Sequence, residues 1–146
     1  MSDEPIKVLL VDDSPLVLVM LSRILSAPDS GIQVVGNARD GEEALRKIPI
    51  LNPHVICTDL QMSGMDGLEL ARQVMLKHPR PVIVLSAAVE RGKDNDNIYK
   101  LQQEGVVSIM QKPRGNTNSS NLDEIGKDLV AKIRQIGKWH KQISSR

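Results

Sequence analysis

Five times along the chain a short run of branched apolar residues gives way to a segment with helical spacing, and this alternation restricts the fold more than any other feature. Ile6-Lys-Val-Leu-Leu-Val11 has the pattern of a strand buried on both faces. Ser14 and Pro15 then supply an N-cap and a first-turn proline, and Leu16, Met20, Leu21, Ile24 and Leu25 predict a helix closing near Ala27-Pro28. Ile32 to Gly36 reads as a second strand. Asp40, followed by Glu42 and Glu43, opens a helix that carries Ala44, Leu45 and Ile48. Pro53 interrupts before a third strand, His54 to Thr58, and Leu68, Leu70, Ala71, Val74 and Met75 mark the next helix. Pro79 and Pro81 separate it from the strand Val82 to Leu85. A more polar helix over 95–104 stops at Gly105, a usual C′ residue, before a fifth strand, Val106 to Met110, and a last helix from Leu122. Five such units predict an α/β fold with a parallel sheet covered on both faces.

The 146 residues suit one domain, and 40% hydrophobic with 25% charged residues is globular composition. One cysteine, Cys57, excludes an internal disulfide and a Cys-rich zinc site and fits a reducing compartment. The first residues lack a basic segment followed by an apolar one, and no apolar run reaches the ~18 residues that span a bilayer, so the expectation is a cytoplasmic protein without membrane contact. One Tyr, one Trp and no Phe disfavour nucleic-acid binding by base stacking. Residues 127–146 carry a charge of +5 and residues 1–126 one of −4, so the body is acidic and the end basic. The basic end reads as a solvated helix terminus rather than a direct nucleic-acid contact.

Ligands of open parallel sheets bind beyond the carboxyl ends of the strands. The residues there are Asp12 and Asp13 after the first strand, Asp59 after the third, Ser86 after the fourth and Lys112-Pro113 after the fifth. A flavodoxin-like, doubly wound sheet of order 2-1-3-4-5 with five helices gathers them at one rim. Three crowded carboxylates must share protons or hold a cation. Oxygen donors without His or Cys favour Mg²⁺ over zinc, and the open positions of Mg²⁺ invite a phosphoryl group. Lys112 and the Ser86 hydroxyl would meet its oxygens while an Asp carboxylate attacks in line. Asp66-Gly67 reads as the turn and N-cap of the third helix, and Cys57, Met62, Met65 and Met75 as packing residues. Trp139 and the three histidines show no ligand spacing.

With these pieces in this order, Leu-Val-Asp12-Asp13-Ser14, Thr58-Asp-Leu-Gln-Met-Ser-Gly-Met-Asp66-Gly67, Ser86-Ala87 and Lys112-Pro113, the sequence resembles a receiver domain of a two-component response regulator over about residues 5–135. The resemblance implies that Asp59 is the phosphoacceptor for a histidine kinase or phosphotransfer protein. It also implies that Asp13, Asp59 and the main-chain carbonyl of Gln61 hold Mg²⁺, that Asp12 acts mainly through a bound water, and that Lys112 contacts the phosphoryl group. A cis Lys112-Pro113 bond is implied as well. Within the family, Pro81-Val-Ile-Val-Leu-Ser86 and Lys112-Pro-Arg-Gly115 are most similar to the receiver of a chemotaxis methylesterase. No Gly-x-Ser-x-Gly elbow occurs, so the chain is expected to be a regulated domain rather than an enzyme. Two positions depart from the pattern: Ile109 stands where an aromatic usually reports phosphorylation, and Ser63 where proline is common.

The last helix carries the stripe Leu122, Ile125, Leu129, Ile133 and Ile136, with Ile143 a heptad further. Extended to about residue 142 it would be ~30 Å long, more than the sheet can cover. Residues 136–146 therefore read as an extension or linker beyond a receiver at 5–135, toward an effector, a partner or a phosphorylation-dependent dimer contact; otherwise the chain is a monomer. Two other functions compete. A pseudo-receiver would bind a partner without phosphoryl transfer. An aspartyl-nucleophile phosphatase usually has a second acid two residues after the first, where this chain has Ser14 and Pro15.

Overall fold

The computed structural model describes residues 4–86, 106–112 and 119–144, with backbone alone for 107, 119–123 and 138–144. Its elements are β1 (Ile6–Val11), α1 (Pro15–Leu25), β2 (Ile32–Ala38), α2 (Gly41–Leu51), β3 (Val55–Asp59), α3 (Gly67–Lys77), β4 (Val82–Ser86), β5 (Val106–Gln111) and α4 (Ser119–Ser144). The strands form one parallel sheet of order β2-β1-β3-β4-β5, as the alternation of elements predicts. Four helices stand among the described residues where five were expected. The expected helix over 95–104 lies outside them, as does Pro113 with its peptide bond.

Alternate residues of each strand feed opposite faces. Val8, Leu10, Cys57, Ile83 and Leu85 pack with Leu18, Leu21 and Leu25 of α1 and with Leu129 and Ile133 of α4. Leu9, Val11, Ile56, Val82 and Val84 pack with Ala44 and Ile48 of α2 and with Leu70, Ala71 and Val74 of α3. The central strands β1, β3 and β4 are thereby covered on both faces. Each of the first three helices starts at a side-chain cap: Ser14 accepts from Val17 N at 3.3 Å, Asp40 from Glu43 N at 2.8 Å and Asp66 from Glu69 N at 2.8 Å. α2 continues through Pro49, which has no N–H to donate, and ends at the left-handed residue Asn52.

Several boundaries and faces differ from the sequence reading. The core face of α1 is Val17, Leu18, Leu21 and Leu25, whereas Leu16 is 60% exposed and Met20 only partly buried. This helix is apolar on two faces, and the stripe named from sequence mixed them. Met75 is exposed rather than packed, because α3 turns Leu70, Ala71 and Val74 to the sheet. α1 stops at Leu25, two residues short of Ala27, and β2 runs on to Ala38. β3, β4 and β5 each reach one residue further, because Asp59 pairs with Leu85 and Ser86 with Gln111. His54 precedes β3 and is tied to Lys7 instead, its N–H donating to Lys7 O and its Nδ1 accepting from Lys7 N.

α4 begins three residues before Leu122 and, with 26 residues, extends ~39 Å. Ile125, Leu129 and Ile133 are buried and Ile136 packs beside them. At Gly137 the helix touches the first residue of β1, since a Cβ there would lie 2.5 Å from Ile6 Cγ2. Among the described residues no helix is long and apolar enough to cross a membrane.

Candidate functional site

The carboxyl ends of β1, β3 and β5 bring three acids and one ammonium together. One ligand oxygen each from Asp12, Asp13 and Asp59 lies within 4.8 Å of the others, with Asp12 and Asp59 buried and Asp13 exposed. Lys112, directly after β5, donates to Asp59 Oδ2 at 2.9 Å and lies 3.2 Å from Asp12 Oδ2. Its reach is set by the sheet: Lys112 N donates to Ser86 O at 3.3 Å, which holds the end of β5 beside β4.

Asp12 has two unlike oxygens. Oδ1 accepts from Ser14 N at 2.9 Å, at the turn into α1. Oδ2 is buried and has no aligned hydrogen bond among the described residues; the Lys112 ammonium is near enough to attract it but not placed to satisfy it. Burial pushes the Asp12 carboxyl above its usual range, and the Asp59 charge adds to that, against the opposing pull of the Ser14 amide and Lys112. For Lys112 burial acts downward, but the bond to Asp59 and the charges of Asp59 and Asp12 outweigh it, so its ammonium is held above the ordinary lysine value. The Asp12 shift is chiefly one of burial, whereas the Lys112 shift expresses the negative charge beside it; among the described residues three carboxylates and one ammonium meet at this rim. Behind them, burial and the Asp12 charge push the Cys57 thiol up to about 12.

A small hard cation fits this donor set. All side-chain donors are oxygens, and the buried Oδ2 of Asp12, beside Lys112 but without an aligned hydrogen bond, leaves a lone pair free for a cation. Ser86, 7% exposed, ends β4 one residue beyond the pairing partner of Asp59. Gln61 stands two residues after Asp59 in the loop to α3, with its side chain exposed. The structure thus collects Asp12, Asp13, Asp59 and Lys112 in direct proximity and lays Ser86 and Gln61 at the same strand ends.

Two neighbours of Asp59 escaped the sequence reading. Thr58, fully buried, donates its hydroxyl to Asp59 O at 3.0 Å. Gly67 was read only as part of a turn, yet a Cβ on it would lie 2.5 Å from Asp59 O and 2.9 Å from Leu60 Cα. The sequence signal for the second was a glycine immediately after a helix cap; the first had none.

The chain matches the response regulator receiver domain family over residues 8–120. It is 38% identical over 136 residues to the protein-glutamate methylesterase/protein-glutamine glutaminase 2 of Xanthomonas oryzae pv. oryzae, a match covering 93% of this chain and 37% of that protein. It is 34% identical over 140 residues to the protein of the same description, without a number, from Methanococcus maripaludis, covering 96% and 37%. The chain therefore spans a little over a third of the curated relatives it matches. Among solved structures, the response regulator domain of Thermotoga maritima CheB superposes with a TM-score of 0.79 at 35% identity, covering 92% of this chain and 97% of that one. Strand order, the acidic rim with its lysine and the extent of these matches agree: the chain belongs to the response regulator receiver domain family.

Proposed function

We propose that the chain accepts a phosphoryl group on Asp59 from the phosphohistidine of a histidine kinase or phosphotransfer protein, in a Mg²⁺-dependent reaction, and changes conformation to control an effector. The observation that carries this is the Lys112 ammonium lodged between Asp59 Oδ2 and Asp12 Oδ2 in a cluster of three carboxylates. A carboxylate oxygen of Asp59 attacks phosphorus in line, an O–P bond forms, the N–P bond breaks and the donor imidazole keeps the electron pair. Asp12, Asp13, Asp59 and the main-chain carbonyl of Gln61 are the residues that would hold Mg²⁺, with Asp12 acting mainly through water; the ion supplies neutralisation of phosphoryl oxygens. Lys112, already beside the attacking carboxylate, follows the new charge onto the phosphoryl group, and the Ser86 hydroxyl donates to one of its oxygens.

Output in this reading does not use a rotating aromatic, because Ile109 occupies that position and packs against the α2 and α3 layer. It travels instead through the main chain after β4. The methylesterase relatives favour a chemotaxis-type cytoplasmic pathway and a methylesterase-like effector, with the chain itself a regulated domain rather than an enzyme. Residues 5–135 are assigned to the receiver and 136–146 to an extension or linker, although Ile136 and Gly137 still pack against the receiver. Incubation with acetyl phosphate tests the proposal. Intact mass should rise by one phosphoryl group in Mg²⁺ and not in EDTA, and Asp59→Asn should stay unlabelled; equal labelling of the variant overturns the assignment.

A further inference from the structure

We propose that Thr58 and Gly67 are positioning residues for phosphoryl transfer, both acting on the main-chain carbonyl of Asp59. This rests on the reading of Asp59 as phosphoacceptor. In-line attack requires a carboxylate aimed to within a fraction of an ångström, and a short side chain inherits its aim from its own backbone. Asp59 is the last residue of β3, where the ladder gives way to a loop. The buried Thr58 hydroxyl donates to Asp59 O at 3.0 Å. Gly67 lies so near that an added Cβ would sit 2.5 Å from Asp59 O, 2.9 Å from Leu60 Cα and 3.2 Å from Asp59 C. All three are backbone atoms with no rotamer to escape into. Gly67 N also donates to Leu60 O at 2.8 Å, and Leu60 N to Leu85 O at 3.0 Å, so Leu60, the residue after Asp59, is tied to both α3 and β4. Gln61 follows at once, so the clamp sets the Asp59 carboxylate and the Gln61 carbonyl relative to one another.

The test compares rates of labelling by acetyl phosphate at saturating Mg²⁺ with urea stability. Thr58→Val keeps the volume and suits a strand but lacks the donor; Thr58→Ser keeps the donor but loses a buried methyl. We expect Thr58→Val to label about fivefold more slowly, the factor one hydrogen bond supplies, and Thr58→Ser to label at the unaltered rate although it is the less stable of the two. A residue that merely packs gives the reverse order, and that result overturns the proposal. Gly67→Ala should slow labelling about tenfold or more, whereas Gly137→Ala, whose Cβ would come equally close to Ile6 Cγ2, should not. Equal slowing in both also overturns it. If Gly67→Ala does not fold, the Thr58 pair decides alone. Unchanged rates in both Thr58→Val and Gly67→Ala, with the unaltered chain labelled on Asp59, refute the clamp and leave the phosphoacceptor reading intact; no label in the unaltered chain refutes both.

Discussion

Neutralising Asp13 should stabilise the metal-free protein, although it removes a proposed ligand. The Asp13 carboxylate lies within 4.8 Å of oxygens of both Asp12 and Asp59. At that distance two unit charges repel by about 0.9 kcal/mol in water and by about 3.5 kcal/mol at an effective dielectric of 20. Asp13 is exposed, so the lower value applies, and Asp13→Asn relieves two such repulsions while losing part of the attraction to Lys112. The net gain should be about 1 kcal/mol in EDTA, or about 0.5 M in urea midpoint for a slope near 2 kcal/mol per molar. Mg²⁺, if bound as proposed, should act the other way. At ten times its dissociation constant it should stabilise the unaltered chain by about 1.4 kcal/mol and the variant, with one ligand fewer, by less. Urea unfolding followed by far-UV circular dichroism, in EDTA and in Mg²⁺, should therefore show the variant ahead without metal and its lead reduced or reversed with it. A variant no more stable in EDTA, or one that gains as much from Mg²⁺ as the unaltered chain, would refute the charge-crowding argument.

Lys112→Met leaves Asp12 and Asp59 without their shared cation and should cost about 2–4 kcal/mol in metal-free urea unfolding, with part of the loss restored by Mg²⁺. The raised Lys112 ammonium contributes stability that is complete below its unfolded value of about 10.4 and lost as pH rises through the higher folded value. The stability difference between the unaltered chain and Lys112→Met should accordingly shrink in that alkaline window, as urea midpoints across pH would report. Cys57, buried and with its thiol pushed up to about 12, should resist iodoacetamide at pH 8 until urea unfolds the chain; fast native alkylation, read by mass, would contradict its placement. Ile133→Ala, at a fully buried contact between α4 and the sheet, should lower stability by about 2–5 kcal/mol in the same unfolding assay, and a loss below 1 kcal/mol would mean that α4 is not packed as described.

Much of the rim was legible because strand ends in a parallel sheet are marked by abrupt changes of residue type. Asp12 follows its apolar run directly and Asp59 and Lys112 follow theirs after one polar residue, Thr58 and Gln111, and the caps Ser14, Asp40 and Asp66 announce the helices. The errors have physical causes. Pro15–Leu25 is apolar on two faces, so periodicity alone could not decide between Leu16 and Leu18 as core. Strands ran past their apolar residues because ladder partners on neighbouring strands, Leu85 for Asp59 and Gln111 for Ser86, satisfy the backbone whatever the side chain. Lys112 is expected beside a phosphoryl group; that its ammonium bridges Asp12 and Asp59 depends on its place directly after the rung Ser86–Gln111, where β4 and β5 end together. The approach of Gly67 to Asp59 depends on the path of the intervening loop, which spacing does not encode.

Within this crowded rim, Asp59 is the residue proposed to become an acyl phosphate. Borohydride reduces an acyl phosphate to an alcohol, so treating the chain after incubation with acetyl phosphate and Mg²⁺, then sequencing its peptides by mass spectrometry, reads the position directly. Homoserine at position 59, absent when EDTA replaces Mg²⁺, is the predicted result; an intact aspartate at 59, or homoserine at Asp12 or Asp13 instead, would contradict the account.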